Sequence, residues 1–407
     1  PKHSHGSVQN LKHFSTFALK KKNMAGIYIH VPFCASRCIY CDFYTTTTLS
    51  SQDRLVRALC SELDMRRDYL LDKAAPTSPI TIDTIYLGGG TPSQLSQENL
   101  LRLFDAIYNK VEQVPTFHIS PTAEVTMECN PDDLTPQFAQ TIARLSVNRV
   151  SMGVQTFSDE RLNFLRRRHK AADIEPAIQR LSQVGIGNIS IDLIFGFPKQ
   201  TVNEWATDLQ KAIELDVEHI SAYSLMYEEG TPLFRLLEQQ RVSEIADSQS
   251  LDMFNLLVDT LTTNHYEHYE ISNFAREGFR SRHNASYWQG IPYLGLGPSA
   301  HSYDGNSRQW NVSNLRKYMD AIENGMVPME KETLDEDTKY NDWITTALRT
   351  KEGLDLNLLS EAHREYLLRA AEPHLREGNL VLTNNNIALS RAGIFISDSV
   401  MSDLVKV

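Results

Sequence analysis

Three cysteines within eight residues constrain this chain more than any other feature. Cys34, Cys38 and Cys41 form a C-x3-C-x2-C pattern directly after the apolar run Gly26–Phe33, which reads as a strand. They are too close in sequence to close useful disulfide loops, and no fourth cysteine follows within ligand reach. A structural zinc site takes four protein ligands, so the zinc reading is a Cys3His site that recruits His30. The other reading is a cubane iron–sulfur cluster, which three cysteines can hold while one iron stays open to a small molecule.

The chain around the cysteines alternates between short apolar runs and longer amphipathic ones. Strands are expected at Gly26–Phe33, Ile82–Leu87, Glu124–Glu128, Arg149–Val154, Asn188–Ile194 and His219–Leu225. Helices are expected between them at Asp53–Leu71, Gln97–Val111, Pro136–Leu145, through Asp159–Val184, and at Glu204–Leu215. Strand–helix alternation of this length predicts parallel strands joined by right-handed crossovers. Six units make a partial (β/α)6 barrel, an α/β fold. Sites on parallel barrels form at the C-terminal strand ends, and there the loaded residues fall. The cysteines follow strand one, and Gly88-Gly89-Gly90-Thr91-Pro92 follows strand two. Glu128 ends strand three, Gln155 ends strand four, Asp192 lies in strand five and Ser224 ends strand six.

Several classes are excluded by composition. A net charge of −11 argues against a nucleic-acid binder, which needs a basic face. No apolar run approaches the ~20 residues that span a bilayer. Five cysteines, three of them clustered, point to a reducing compartment and a metal site, and the expectation is a cytoplasmic protein. Cys60 and Cys129 read as small apolar residues of the fold. Residues 1–23 hold lysines and histidines but no Asp, Glu or Arg. They are read as a disordered tail outside the fold, with Met24 the natural start.

The cysteine pattern behind a strand resembles the signature of the radical S-adenosylmethionine (SAM) proteins. Tyr28, His30, Pro32 and Phe33, with Gly-Gly-Gly-Thr-Pro, Glu-Cys-Asn-Pro, Gly-Val-Gln and Asp-Leu-Ile-Phe-Gly, resemble the oxygen-independent coproporphyrinogen III oxidase group among them. The resemblance implies a [4Fe–4S] cluster on Cys34, Cys38 and Cys41, with SAM on its open iron. It implies SAM contacts at Tyr28, Tyr40, Gly89, Gly90, Thr91, Glu128, Gln155, Arg167 and Asp192. Arg167 sits within Arg166-Arg167-Arg168, a run that by itself reads as a solvated face, but its spacing from Gln155 matches the arginine that pairs the SAM carboxylate. A guanidinium fork suits that task.

One departure from the oxidase is informative. The oxidase has a further cysteine two positions past the third ligand, where this chain has Phe43 in Cys41-Asp42-Phe43. Cys-Asp-Phe is similar to the HemW-type heme chaperones, and His283-Asn284-Ala285-Ser286-Tyr287-Trp288 matches their H-N-x-x-Y-W motif. That likeness implies heme as a further ligand, with His283 as an axial ligand and His265, His268 and His301 as competitors. It also implies acceptor hemoproteins and an electron donor as partners, and leaves a peripheral membrane contact open. Two alternatives stand beside it: a coproporphyrinogen-oxidising or other tetrapyrrole-modifying radical enzyme, and the zinc protein. Whether the chain is an enzyme is open, with decarboxylation of coproporphyrinogen not expected.

The expected organisation is a barrel over 24–230, an extension with the heme-type motif over 231–310, and a winged-helix-like unit over 311–407. Within the extension, Ser243–Thr262 reads as a helix and Gly290–Gly305 as an ordered loop against the barrel mouth. The last unit reads as helices Leu315–Asn324, Thr338–Arg349 and Leu358–Arg376, then strands Asn379–Thr383 and Ile387–Ser390, then a helix.

Overall fold

The computed structural model describes residues 24–71, 80–112 and 117–406; the tail expected over 1–23 lies outside them. Six parallel strands form in chain order: β1 (Met24–Val31), β2 (Ile80–Gly89), β3 (Phe117–Cys129), β4 (Arg149–Gln155), β5 (Asn188–Phe195) and β6 (His219–Ser224). Between them run α1 (Gln52–Met65), α2 (Gln97–Glu112), α3 (Pro136–Ala143), α4 (Asp159–Phe164), α5 (Ile174–Gln183) and α6 (Val202–Glu214). Each strand alternates apolar and polar residues, and successive side chains point to opposite faces. The apolar set, including Ile27, Ile29, Leu87, Met127, Met152, Ile191 and Ile220, joins one core with Leu55, Leu59, Leu103, Leu181 and Trp205 of the helices. The alternate set on β1 to β6 is polar and faces a common lumen.

The sheet continues past both ends of the parallel array. After α7 (Pro232–Glu238) and α8 (Asp247–Thr263) come β7 (Glu267–Glu270) and β8 (Asn273–Ala275), the latter antiparallel to β6. Beyond α9 (Arg282–Trp288) lie β9 (Tyr293–Leu296), β10 (His301–Tyr303), β11 (Ser307–Asn311), α10 (Leu315–Glu323) and β12 (Met329–Thr333). Strand β9 runs parallel to β1, and β10 to β12 extend that edge, so the sheet has twelve strands among the described residues. The segment expected as a loop over Gly290–Gly305 is therefore sheet. Its glycines are what a close approach requires: a Cβ on Gly295 would lie 1.8 Å from the His301 carbonyl oxygen.

Helix α1 ends at Met65, short of the expected Leu71, and Arg66 turns inward there. Its guanidinium reaches Glu62 (3.2 Å), the Gly295 carbonyl (2.9 Å), Ser302 and Gln309 (both 3.0 Å). Glu62, fully buried, accepts from Gly297 N–H (2.9 Å), Asn311 (2.8 Å) and the Tyr318 hydroxyl (2.6 Å). A buried ion pair persists only when its remaining donors and acceptors are satisfied, and these partners bind α1 to β9, β11 and α10.

A second core holds α11 (Glu336–Ala347), β13 (Leu354–Asp355), α12 (Glu361–Glu377), β14 (Leu380–Thr383), β15 (Asn386–Leu389) and, after α13 (Arg391–Phe395), whose Ile394 and Phe395 pack on the large core, α14 (Ser397–Leu404). It is centred on Tyr340, Ile344, Leu367, Ile387 and Val400, with a sheet ordered β13-β15-β14. The boundary expected at residue 311 falls inside the larger unit instead. Tyr318, Met319 and Ile322 of α10 belong to the large core, and β12 pairs with β11.

Candidate functional site

The cysteine loop is fixed at its base and at its tip. Cys34 N–H donates to the Thr46 carbonyl (2.9 Å) and Thr46 N–H to the Pro32 carbonyl (2.7 Å). Ile39, between the second and third cysteines, packs with Leu165, Ile194, Phe197, Leu225 and Leu233. With Ile39 anchored, Cys34, Cys38 and Cys41 line a cavity of about 460 Å³ at the C-terminal strand ends. The Thr91 hydroxyl lies 3.6 Å from the Cys34 Sγ and Arg167 Nη1 lies 3.6 Å from the Cys38 Sγ. Burial pushes the Cys34 thiol up, and the Cys41 thiol up to about 11, so a metal bound there would displace protons.

The donor set fits a cluster better than a zinc ion. No three His, Cys, Asp or Glu side chains among the described residues converge as a single ion requires. A cubane gives each thiolate its own iron, so convergence on one point is not needed. His30, the fourth ligand of the zinc reading, has both ring nitrogens engaged: Nδ1 with the Tyr28 hydroxyl (3.1 Å) and Nε2 with the Tyr44 carbonyl (3.0 Å).

Most residues singled out by sequence meet at this cavity. Tyr40, Gly89, Gly90, Thr91, Glu128, Gln155, Arg167 and Asp192 all line it. Gly89 has φ +106°, and a Cβ there would lie 2.5 Å from the His30 ring. Only glycine therefore lets the β2 backbone pass so close. Gln155, 7% exposed, takes the left-handed φ of 68°, a strain that collects at functional sites. Glu128 accepts from the Tyr86 hydroxyl (2.9 Å) and from Gly89 N–H (3.1 Å). Burial pushes its carboxyl up to about 7, against the pull of those two donors. Burial likewise pushes Asp192 up to about 6, with Arg149 opposing.

The arginine run is divided by its backbone. The helical stretch expected from Asp159 to Val184 breaks after α4, because Arg166 adopts φ 63°. That turn sends Arg167 inward, where Nη2 donates to the Gly153 carbonyl (2.7 Å) and to Asn130. Arg168 turns outward and pairs with Asp132 (2.7 Å) and Asp133 (2.5 Å).

Two residues from the sequence reading stand apart. Tyr28 is not on the cavity wall; its ring stacks 6.2 Å from Tyr86. His283 is 1% exposed and lies at the other end of the lumen. Its Nδ1 meets the Thr84 hydroxyl at 2.8 Å and its Nε2 the Tyr287 hydroxyl at 2.7 Å. Thr84 precedes Gly89 by five residues, roughly 16 Å along β2. The motif is helical, so His283 and Tyr287 share a face, and this helix, α9, closes the floor of the lumen. The Glu124 carboxylate accepts from the Arg282 and His283 N–H groups (3.0 Å each) and holds it there. Burial pushes His283 down to about 3, which keeps the imidazole neutral. Among the competing histidines, His268 stacks on Phe274 at 4.3 Å and His301 is exposed.

Tyr86, Arg149, Ser151, Ser221 and Asn284 also line the cavity, and the sequence reading passed over them. The signal of the four strand residues, Tyr86, Arg149, Ser151 and Ser221, was present as polar residues at every second position of strands that are covered on both faces. Buried parallel strands otherwise read as continuous apolar runs.

Residues 28–212 match the model of the radical SAM superfamily. The "Heme chaperone HemW" of Mycobacterium tuberculosis is 33% identical over 385 residues, covering 93% of this chain and 94% of that protein. The protein of the same name from Bacillus subtilis is 34% identical, covering 84% and 87%. The solved coproporphyrinogen III oxidase HemN of Escherichia coli superposes with a TM-score of 0.77 at 20% identity, covering 96% and 93%, which establishes the shared fold. Identity of one third along nearly the full length of both chains decides the family: the chain belongs to the HemW family of radical SAM proteins.

Proposed function

We propose that this chain is a heme chaperone that binds a [4Fe–4S] cluster, SAM and heme, and passes heme to acceptor hemoproteins. Cys34, Cys38 and Cys41 hold the cluster. When bound, the cluster would supply an electron-transfer centre beside the wall proposed for SAM. Gly89, Gly90 and Thr91 offer backbone and hydroxyl groups to the amino end, and Glu128 accepts from the ribose hydroxyls. Arg167 pairs the SAM carboxylate, and Tyr40, Gln155 and Asp192 complete the wall; Tyr28 acts from behind it through His30. The observation that carries the chaperone reading over the decarboxylase is Phe43. It stands 64% exposed at the cavity mouth, where the oxidase pattern has a cysteine, and the full-length relatives are named heme chaperones.

His283 reaches heme iron in this reading only when the Thr84–His283–Tyr287 chain opens, since both ring nitrogens are engaged while it is closed. The unit from Glu336 onward is read as the docking or substrate-covering part; Trp343 packs beside Gly290, just after α9. The remaining partners are a reductant for the cluster and, for membrane-bound acceptors, a peripheral contact with that surface. The setting is cytoplasmic, and no helix among the described residues is long and apolar enough to cross a membrane.

The test uses anaerobically reconstituted protein. About four irons per chain, a shifted Soret band with heme, and no protoporphyrinogen from coproporphyrinogen III with SAM and reductant are expected. Vinyl-bearing product at catalytic turnover would overturn the chaperone reading in favour of the oxidase.

A further inference from the structure

Arg149, at the start of β4, is 2% exposed and lines the inner end of the cavity. Its Nε is buried without a partner, and its guanidinium makes no hydrogen bond or ion pair among the described residues. The groups within its field are Asp192, Tyr86, Tyr269, His219 and His283. Both imidazoles are held neutral by burial. Asp192 is the acid on the same wall, but its carboxylate takes the Ser151 hydroxyl (3.4 Å) and forms no ion pair with Arg149. An unpaired buried cation is costly, and this one points into open space.

A second polar group, partly buried, faces the same space. Asn284, from the floor helix, lines the cavity, and its carboxamide makes no hydrogen bond among the described residues. A guanidinium fork and an amide donor lining one cavity match a carboxylate, which accepts at two oxygens. Glu128 and Asp192, on the two strands that flank β4, repel a dianion, so a monocarboxylate fits better than a phosphate. We infer that Arg149 and Asn284 form a second anion subsite at the inner end of the cavity, which takes the carboxylate arm of an organic ligand. That arm is a propionate of a tetrapyrrole or, should SAM's one carboxylate sit here in place of Arg167, the carboxylate of SAM; the first source rests on the proposed function, the subsite itself does not.

Carboxyl-13C propionate is the direct probe, observed by NMR with the full chain. Saturable line broadening is expected with the wild type, and at least about tenfold weaker binding with Arg149→Gln, as for loss of a charged hydrogen bond. Asn284→Ala, which leaves the buried cation in place and guards against misfolding of the first variant, should weaken binding about fivefold. No broadening with the wild type, or equal broadening in all three proteins, would overturn the subsite and leave Arg149 as the counter-charge of Asp192. Two titrations then separate the sources. If the arm is a propionate, the wild type prefers heme to heme dimethyl ester, Arg149→Gln erases that preference, and SAM affinity changes less than about twofold. If Arg149→Gln weakens SAM and leaves the heme preference intact, the subsite stands and the arm is SAM's. A wild type that binds neither porphyrin sinks the heme reading, while the propionate result still decides the subsite.

Discussion

Replacing Glu128 by Gln should change the pH dependence of stability in a direction opposite to the usual carboxylate. The folded-state carboxyl titrates at about 7, up from the ordinary 4.5, with burial as the largest cause. Between those values the folded chain keeps a proton that the unfolded chain has lost. Wild-type stability from this group is therefore greatest below about pH 4.5 and is lost as pH rises through about 7. At about 1.4 kcal/mol per unit, the whole loss is about 3 kcal/mol. It is an upper bound, because Glu128 lines a cavity that admits water. About 2 kcal/mol of it falls between about pH 5.5 and pH 8.5. Gln carries no such titration, but it keeps one acceptor for the two donors, Tyr86 and Gly89. That mismatch costs about 1–3 kcal/mol at every pH. Asp192 titrates in both proteins and cancels. Urea unfolding without added ligand, at a series of pH values, should show the variant gaining up to about 2 kcal/mol on the wild type from the acid to the alkaline end. A stability difference that stays flat with pH would refute a raised Glu128 and the buried-carboxylate argument with it.

Two further outcomes follow from the same geometry. Arg167→Ala should weaken SAM binding to reconstituted protein at least about thirtyfold, from a loss of about 2–5 kcal/mol for one partner of a buried charge pair; unchanged affinity in equilibrium dialysis would remove Arg167 from the site. Glu62→Ala leaves Arg66 buried and unpaired and strands the Asn311 and Tyr318 donors. It should cost about 3–5 kcal/mol in urea unfolding, and a cost below about 1 kcal/mol would show that α1 does not depend on this network.

Local signals settled much of this protein before any tertiary contact was considered. Strand and helix periods, the cysteine spacing and the triple glycine each operate within a few residues, so β1 to β6 and the rim carrying Cys34, Glu128 and Gln155 were legible. The polar alternation that marks the lumen was legible too, in Glu124, Arg149 and Ser151, but it was passed over. Long-range pairing decided the rest. Strand β9 exists because β1, far away in sequence, offers it an edge, and Gly295 alone gives no hint of that partner. Whether Arg167 faces solvent or a thiol depends on a left-handed turn at Arg166, which three consecutive arginines do not disclose. The H-N-x-x-Y-W helix lies on the floor and not at the mouth because Glu124 and Thr84, on strands two and three, hold its first turn and its histidine. A motif fixes which groups can bond; only the fold fixes which of those bonds are already taken.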